Sequence, residues 1–266
     1  MHKQITSIQN PLIKEVIQLQ EKSRVRKNRE LFIIEGQREI SLALKGNYQI
    51  NTILFCEAII SNTKVDEITK SIDQEIELIL VSKEVYQKIS HRKTTEGIIA
   101  IAHCKNLILN NLSLTNNSLI LIAEAPEKPG NIGALLRTAD AANLDAVIIA
   151  NPKTDLYNPN IIRSSVGCIF TNQIVMETTN NILNYLKENN IQLFSAALDK
   201  NSEDYTLQDY TKATAIAVGT EATGLSKEWL QNSTKNIIIP MEGEIDSLNV
   251  SVSTAILIFE AKRQRK

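Results

Sequence analysis

Glycine and proline are scarce in this chain, nine and six among 266 residues. Flexible linkers, collagen-like repeats and proline-rich tracts need far more of both, so long low-complexity segments are not expected. No apolar run approaches the roughly 20 residues that span a bilayer. The opening MHKQITSIQNPLIK has no long hydrophobic stretch after its basic residues and does not read as a secretory signal. Three cysteines, Cys56, Cys104 and Cys168, are odd in number and far apart. That spacing gives neither a disulfide framework nor a metal-ligand set, so buried free thiols, no metal and the cytoplasm are expected. Excess positive charge is missing too: the formal net charge is −1. This counts against nucleic-acid binding, because phosphate contacts need lysine and arginine.

What is present softens that last exclusion. The first 45 residues carry nine basic side chains against five acidic ones, densest in KSRVRKNR at 22–29; that stretch reads equally as a solvated helix face or loop. Before it, Leu12, Ile13, Val16, Ile17 and Leu19 recur near the helical period, with Asn10 as cap and Pro11 at the first helical position. Then LFIIEG, NTILFCE, IELILVS and EGIIAIA read as strands. Helices are expected between them at about 38–44, 64–72 and 83–89. Residues 1–105 thus describe a compact α/β unit. The Asn-rich stretch 104–117 reads as a linker or capping turn, and the domain boundary is placed at 106–117.

The alternation is cleaner in 118–266. SLILIAEA, DAVIIAN, NQIVMET, IQLFSAA, AIAVGT and NIIIPM are strands, with helices at about 134–142, from 158, at 181–188 and from SVSTAILIFEAKRQRK to the end. Near-continuous apolar strands separated by helices imply a buried parallel sheet, where ligands sit at loops leaving the strands' carboxyl ends. Three such loops hold unusual residues. In EKPGNIGALLRTADAAN, Pro129 and Gly130 read as a sharp turn, with Asn131 near a helix start and Arg137 beyond it, an arrangement suited to phosphate. In AVGTEATGLSKEW, Gly219 permits close approach of a flat ligand and Glu221 places an acid at a strand end. In IPMEGEIDSLNVSVSTA, Ser247 and Asn249 stand at the mouth of the last helix. Singly, each loop is equally an ordinary turn or a capped helix. Gly130 and Gly133 do not make the dinucleotide fingerprint, so an ordinary Rossmann cofactor site is poorly supported.

In combination, KPGNIGALLRTAD, VGTEATGLS and IPMEGEIDSLNVSVSTAILIFEA resemble, in order and spacing, the three motifs of the SpoU (TrmH-type) family within the SPOUT superfamily of methyltransferases. ITSIQNPLIKEVIQLQ, LFIIEGQREI and TTEGIIAIA are similar to the RNA substrate-binding domain often attached to it. The resemblance implies an α/β protein: a small N-terminal RNA-binding domain, then a parallel-sheet methyltransferase domain over 118–266 with a C-terminal trefoil knot. It implies a homodimer and transfer of a methyl group from S-adenosyl-L-methionine to a ribose 2′-hydroxyl of RNA, with ribosomal RNA favoured over tRNA by the attached domain. Gly219, Ile239 and Leu248 would line the cofactor site. Asn131, Arg137, Glu221, Ser247 and Asn249 would form the catalytic and RNA-facing group. Lys128 stands where the family often has an acid, and Ala222 where a glycine commonly follows the motif-two glutamate.

Such a transfer needs alignment more than a nucleophile. A guanidinium hardly deprotonates, so Arg137 is expected to hold RNA phosphate and polarise the hydroxyl, while Asn131, Ser247 and Asn249 orient ribose and cofactor. His91, beside Arg92 and Lys93, reads as a solvated turn or an RNA contact, and Trp229 as packing. The competing readings are a non-catalytic RNA-binding protein of the same fold and a nucleotide-dependent enzyme on an ordinary α/β sheet.

Overall fold

A computed structural model of the chain describes residues 3–70, 72, 75–91, 96–199, 201–220 and 223–266. The first half runs β1 (Lys3–Ile5), α1 (Pro11–Glu21), α2 (Ser23–Arg29), β2 (Leu31–Glu35), α3 (Gln37–Lys45), β3 (Ile50–Phe55), α4 (Asn62–Thr69), β4 (Glu77–Val81), α5 (Lys83–Ile89) and β5 (Ile98–His103). The second continues with β6 (Leu119–Glu124), α6 (Pro129–Ala141), β7 (Ala146–Ala150), α7 (Pro159–Ser164), β8 (Ile174–Glu177), α8 (Thr179–Glu188), β9 (Gln192–Ala196), β10 (Glu203–Asp204), β11 (Thr214–Val218), α9 (Lys227–Asn232), β12 (Lys235–Ile238) and α10 (Val250–Gln264). Two compact units result, Met1–Asn106 with Asp155–Thr171, and Leu107–Thr154 with Asn172–Lys266. The sequence reading kept 155–171 with the second domain, whereas the structure groups that segment with the first unit. Among the described residues no helix is long and apolar enough to cross a membrane.

The first unit is built on a mixed sheet in the order β1-β4-β3-β5-β2. Strand β5 is antiparallel to β3 and β2, and the other pairings are parallel. Helix α1 forms where expected: Asn10 Oδ1 accepts from Leu12 N at 2.9 Å and Pro11 opens the first turn. Its Ile13, Val16 and Leu19, three residues apart, are fully buried in a core shared with Leu54, Ile79, Val85 and Ile99. Each such side chain contributes roughly 1.5–3 kcal/mol by leaving water. The basic stretch 22–29 becomes α2, and it is not simply a solvated face. Arg26 is 3% exposed; its Nε donates to Asp155 Oδ2 at 2.5 Å and its Nη1 to the carbonyls of Leu19 and Gln20. Beside this pair, Phe32 stacks on Tyr157 with ring centroids 4.3 Å apart and on Phe170 at 6.0 Å, while Tyr48 meets Tyr157 and Phe170 edge-on. Residues of 155–171 therefore complete the core of this unit.

The second unit carries a seven-stranded sheet in the order β10-β12-β9-β11-β6-β7-β8. Every pairing in it is parallel. Strands β6, β7 and β11 are buried along their whole length, as expected for a parallel sheet covered on both faces. The Asn-rich stretch before it is not a free linker. Leu109 is buried in this unit's core with Leu112 and Leu114 packed beside it, and Gln173 brackets Ser113 by accepting from its N–H and donating to its carbonyl. Helix α10 packs against α6.

Candidate functional site

The carboxyl ends of β6 and β11 lie side by side, their last paired couple being Ala123 with Val218. Past these ends the chain opens a cleft lined by Ala123, Glu124, Asn131, Gly219, Thr220 and Val250, with Pro126, Glu127 and Leu135 completing its wall. The structure thus brings together residues from all three loops singled out in the sequence. Ala125, in the left-handed region at φ 45°, turns the chain out of β6 while its N–H still reaches Ala150 O at 2.8 Å. Helix α6 then begins at Pro129, five residues earlier than expected. Proline fixes the φ that a first helical residue adopts and lacks the N–H that would go unused there, so Pro129-Gly130 opens the helix rather than making a separate turn. Asn131 consequently sits in the first helical turn, half-buried and facing the cleft.

The second loop is held by its own backbone. Thr220 and Gly224 exchange hydrogen bonds, N–H to O at 3.3 Å and 2.9 Å. Thr220 Oγ1 also accepts from Thr223 N at 3.2 Å. A Cβ added at Gly219 would stand 2.1 Å from the carbonyl carbon of Gly224 and 2.3 Å from Leu225 N. The site therefore requires glycine at 219, and Gly224 itself lies in the left-handed region at φ 64°. Glu221 and Ala222 fall outside the described residues, as do Arg92 and Lys93.

The third loop ends in a capped helix. Asn249 is the N-cap of α10, its Oδ1 accepting from Ser251 N at 2.9 Å and Ser251 Oγ at 2.6 Å. Its amide NH2 is the end left to donate elsewhere. Ser247 is exposed and donates to Asp246 Oδ1 at 3.1 Å, while Ile239 and Leu248 are half-buried. Arg137 lies six residues beyond Asn131 on α6, on another face of the helix. It is exposed, is not among the residues lining the cleft, and makes no ion pair with the described residues. His91 donates its backbone N–H to Glu35 Oε2 at 2.9 Å, and its Nε2 lies 3.2 Å from Asn160 Oδ1. Trp229 is fully buried in the second core, as packing would have it.

Sequence reasoning passed over Glu124. It ends an apolar strand, is 8% exposed, and its Oε2 accepts from Ser226 N at 2.7 Å across 102 residues of sequence. No spacing rule reaches that far, although an acid closing an otherwise apolar strand was the available signal. With Glu127 it stands among the residues that line the cleft.

A family model described as the SpoU rRNA Methylase family matches residues 118–259. The chain belongs to that family. A second model, the MRM3-like substrate binding domain, matches residues 10–100, in agreement with the resemblance of the N-terminal strings. Among relatives, the 23S rRNA (guanosine(2553)-2′-O)-methyltransferase RlmP of Bacillus subtilis is 28% identical, over 98% of this chain and 99% of that protein. A crystal structure described as an RNA 2′-O ribose methyltransferase is 37% identical, with a TM-score of 0.82 over 98% of this chain and 99% of the other. The AdoMet-bound rRNA methyltransferase of Sinorhizobium meliloti is 25% identical, with a TM-score of 0.90 over 98% and 97%. Both the parallel-sheet family domain and the substrate-binding domain ahead of it are therefore shared along nearly the whole chain.

Proposed function

We propose that this protein methylates a ribose 2′-hydroxyl of ribosomal RNA, with S-adenosyl-L-methionine as the methyl donor. The observation that carries the reading is the cleft where the ends of β6 and β11 and the start of α10 meet, with Asn131, Gly219 and Val250 on one wall system. Ribosomal RNA is favoured because RlmP, similar over the full length, is named for a 23S rRNA site, and because the N-terminal domain belongs to a substrate-binding type.

The cofactor supplies an activated sulfonium methyl, and the chain's own residues have to hold and aim the acceptor. The backbone at Gly219, with Ile239 and Leu248, would hold the cofactor. Asn131 would orient the ribose from the first turn of α6, and Asn249 would do so through its amide NH2, since its oxygen is occupied in capping α10. Ser247, exposed in the loop before that cap, would turn from Asp246 toward RNA. Arg137 would hold an RNA phosphate and polarise the hydroxyl, the proton passing to phosphate or water. Glu221 completes the group that the family resemblance implies.

The same reading includes a homodimer and a C-terminal trefoil knot. Val252 and Phe259 of α10 are exposed at 47% and 50%; seven residues apart, they share one helix face, which supports burial of that face by a second copy. The insertion of β11 between β9 and β6, with β12 outside β9, is the non-sequential order a knot requires. The test of function is site-resolved 2′-O-methylation mapping of total RNA from the native host with and without the gene. Loss of a ribose methyl in ribosomal RNA, restored by the wild-type chain and not by Asn131→Ala, is the expected result. An unchanged map with the gene expressed would support a non-catalytic RNA-binding protein, and loss confined to tRNA would reassign the substrate.

A further inference from the structure

Glu124 stands one residue past the last paired couple of β6 and β11, as Gly219 stands one residue past the end of β11. Its carboxylate is buried, so the partner it keeps there matters: a buried acceptor without a donor is costly, and a charge-assisted bond to a backbone N–H is among the stronger kinds. That partner is the N–H of Ser226, at 2.7 Å. Ser226 is the cap position of α9 and has no side-chain cap bond of its own. Immediately before it come Gly224 and Leu225, whose backbone atoms are those that a Cβ at Gly219 would strike. Leu225 is anchored in the core. A chain of contacts thus runs from Glu124 to Ser226, on to Leu225 and Gly224, and from there to the backbone of Gly219.

We infer that Glu124 is a positioning residue of the methyl-transfer site: by accepting from Ser226 N it locks 224–226 against the end of β6 and so fixes the backbone that faces Gly219, the slot that takes the cofactor. The action is that of a hydrogen-bond acceptor at a set reach. It rests on the methyltransferase reading for its consequence, but the lock itself is a property of the free protein.

Two substitutions separate reach from charge. Glu124→Gln keeps an acceptor oxygen at the same distance and removes the charge. Glu124→Asp keeps the charge and draws the oxygen back by one methylene. Glu124→Ala removes both. The first readout is hydrogen exchange of the backbone amides of 224–226 in ligand-free protein; the second is affinity for S-adenosylhomocysteine by calorimetry. The expected result is faster exchange in the Ala and Asp variants, wild-type exchange in the Gln variant, and cofactor-product affinity weakened about tenfold or more in Ala and Asp but by less than about threefold in Gln, the scale of one lost buried hydrogen bond. Wild-type exchange in the Ala variant, or a Gln variant as impaired as Ala while Asp is spared, would overturn the proposal and move the role to the charge. Should the Ala variant fail to fold, the contrast of Gln with Asp still decides. If the wild-type protein bound no S-adenosylhomocysteine, the methyltransferase reading would fall, and the exchange arm would still judge the lock.

Discussion

The two units share an α/β composition but place their polar chemistry in opposite ways. In the first, several ionic and phenolic groups are turned inward onto protein partners. Arg26 is paired with Asp155, the hydroxyl of Tyr157 accepts from Lys105 N, and Lys105 Nζ sits 4.3 Å over the Tyr48 ring. In the second, Glu124, Asn131 and Thr220 gather past the ends of β6 and β11 and line a cleft. Strand direction accounts for the difference. All seven strands of the second sheet run parallel, so every carboxyl end, and every loop leaving one, lies along one edge. In the first sheet β5 runs against its neighbours, and its loops are divided between the edges. A constellation assembled from loops far apart in sequence needs the all-parallel arrangement of the second sheet, whereas the mixed sheet of the first unit does not gather its loops in this way.

The contrast breaks most visibly at the buried ion pair. Asp155→Ala leaves Arg26 charged and buried with only carbonyl partners, a loss of about 3–5 kcal/mol for removal of one member of such a pair. Thermal and urea melts should report it, while affinity for S-adenosylhomocysteine at a temperature where the protein stays folded should match wild type. A parallel loss of cofactor affinity would show that the two units are not separable in this sense. Next comes Gly219→Ala, which forces the loop away from Gly224 by overpacking worth about 1–3 kcal/mol, or roughly ten- to hundredfold in turnover if it falls on the reacting state. Its control is Gly130→Ala, where an added Cβ meets nothing within 4 Å; in the first turn of α6 that change should alter stability by about 0.5 kcal/mol or less. Equal effects at the two glycines in single-turnover assays would remove the close-approach argument for 219.

Much of this architecture was legible because its cause is local. Apolar runs closed by turn residues marked β6, β7, β9 and β11, and Asn10-Pro11 marked the start of α1. The failures have non-local causes. Strands β1 and β10 have three and two residues, too short for any periodicity, and exist through their partners β4 and β12. The stretch 22–29 looked like a solvated face because the partner of Arg26 lies 129 residues away. The contacts of Tyr157 and Phe170 with Phe32 and Tyr48 were equally out of reach, because those partners lie more than a hundred residues away. In the site, Asn131 and Gly219 were found through motif strings and both line the cleft. Arg137 and Ser247, named by the same strings, are exposed and do not line it. Glu124 belongs to no string, and its meaning depends on an N–H supplied by another motif.

The smallest expected effect concerns Cys104, a half-buried thiol of the first unit, where buried free thiols had been expected and only Cys56 is fully so. Burial, with Asp155 and Glu30 adding negative charge nearby, pushes this thiol up to about 12. The thiolate is the reactive form, and a raised pKa keeps the proton on at every pH below that value. Cys104 should therefore resist alkylation by iodoacetamide at pH 8 in the folded protein and react at an ordinary rate once the chain is unfolded in urea. Asp155→Asn sharpens the point. It removes one of the negative charges that hold the thiol up, but also loosens Arg26, so exposure and electrostatics would both favour reaction. Native-state mass mapping that showed rapid modification of Cys104 in the wild type would mean that this part of the first unit opens on the timescale of labelling. The contrast between a closed platform and an open cleft would then rest on strand direction alone.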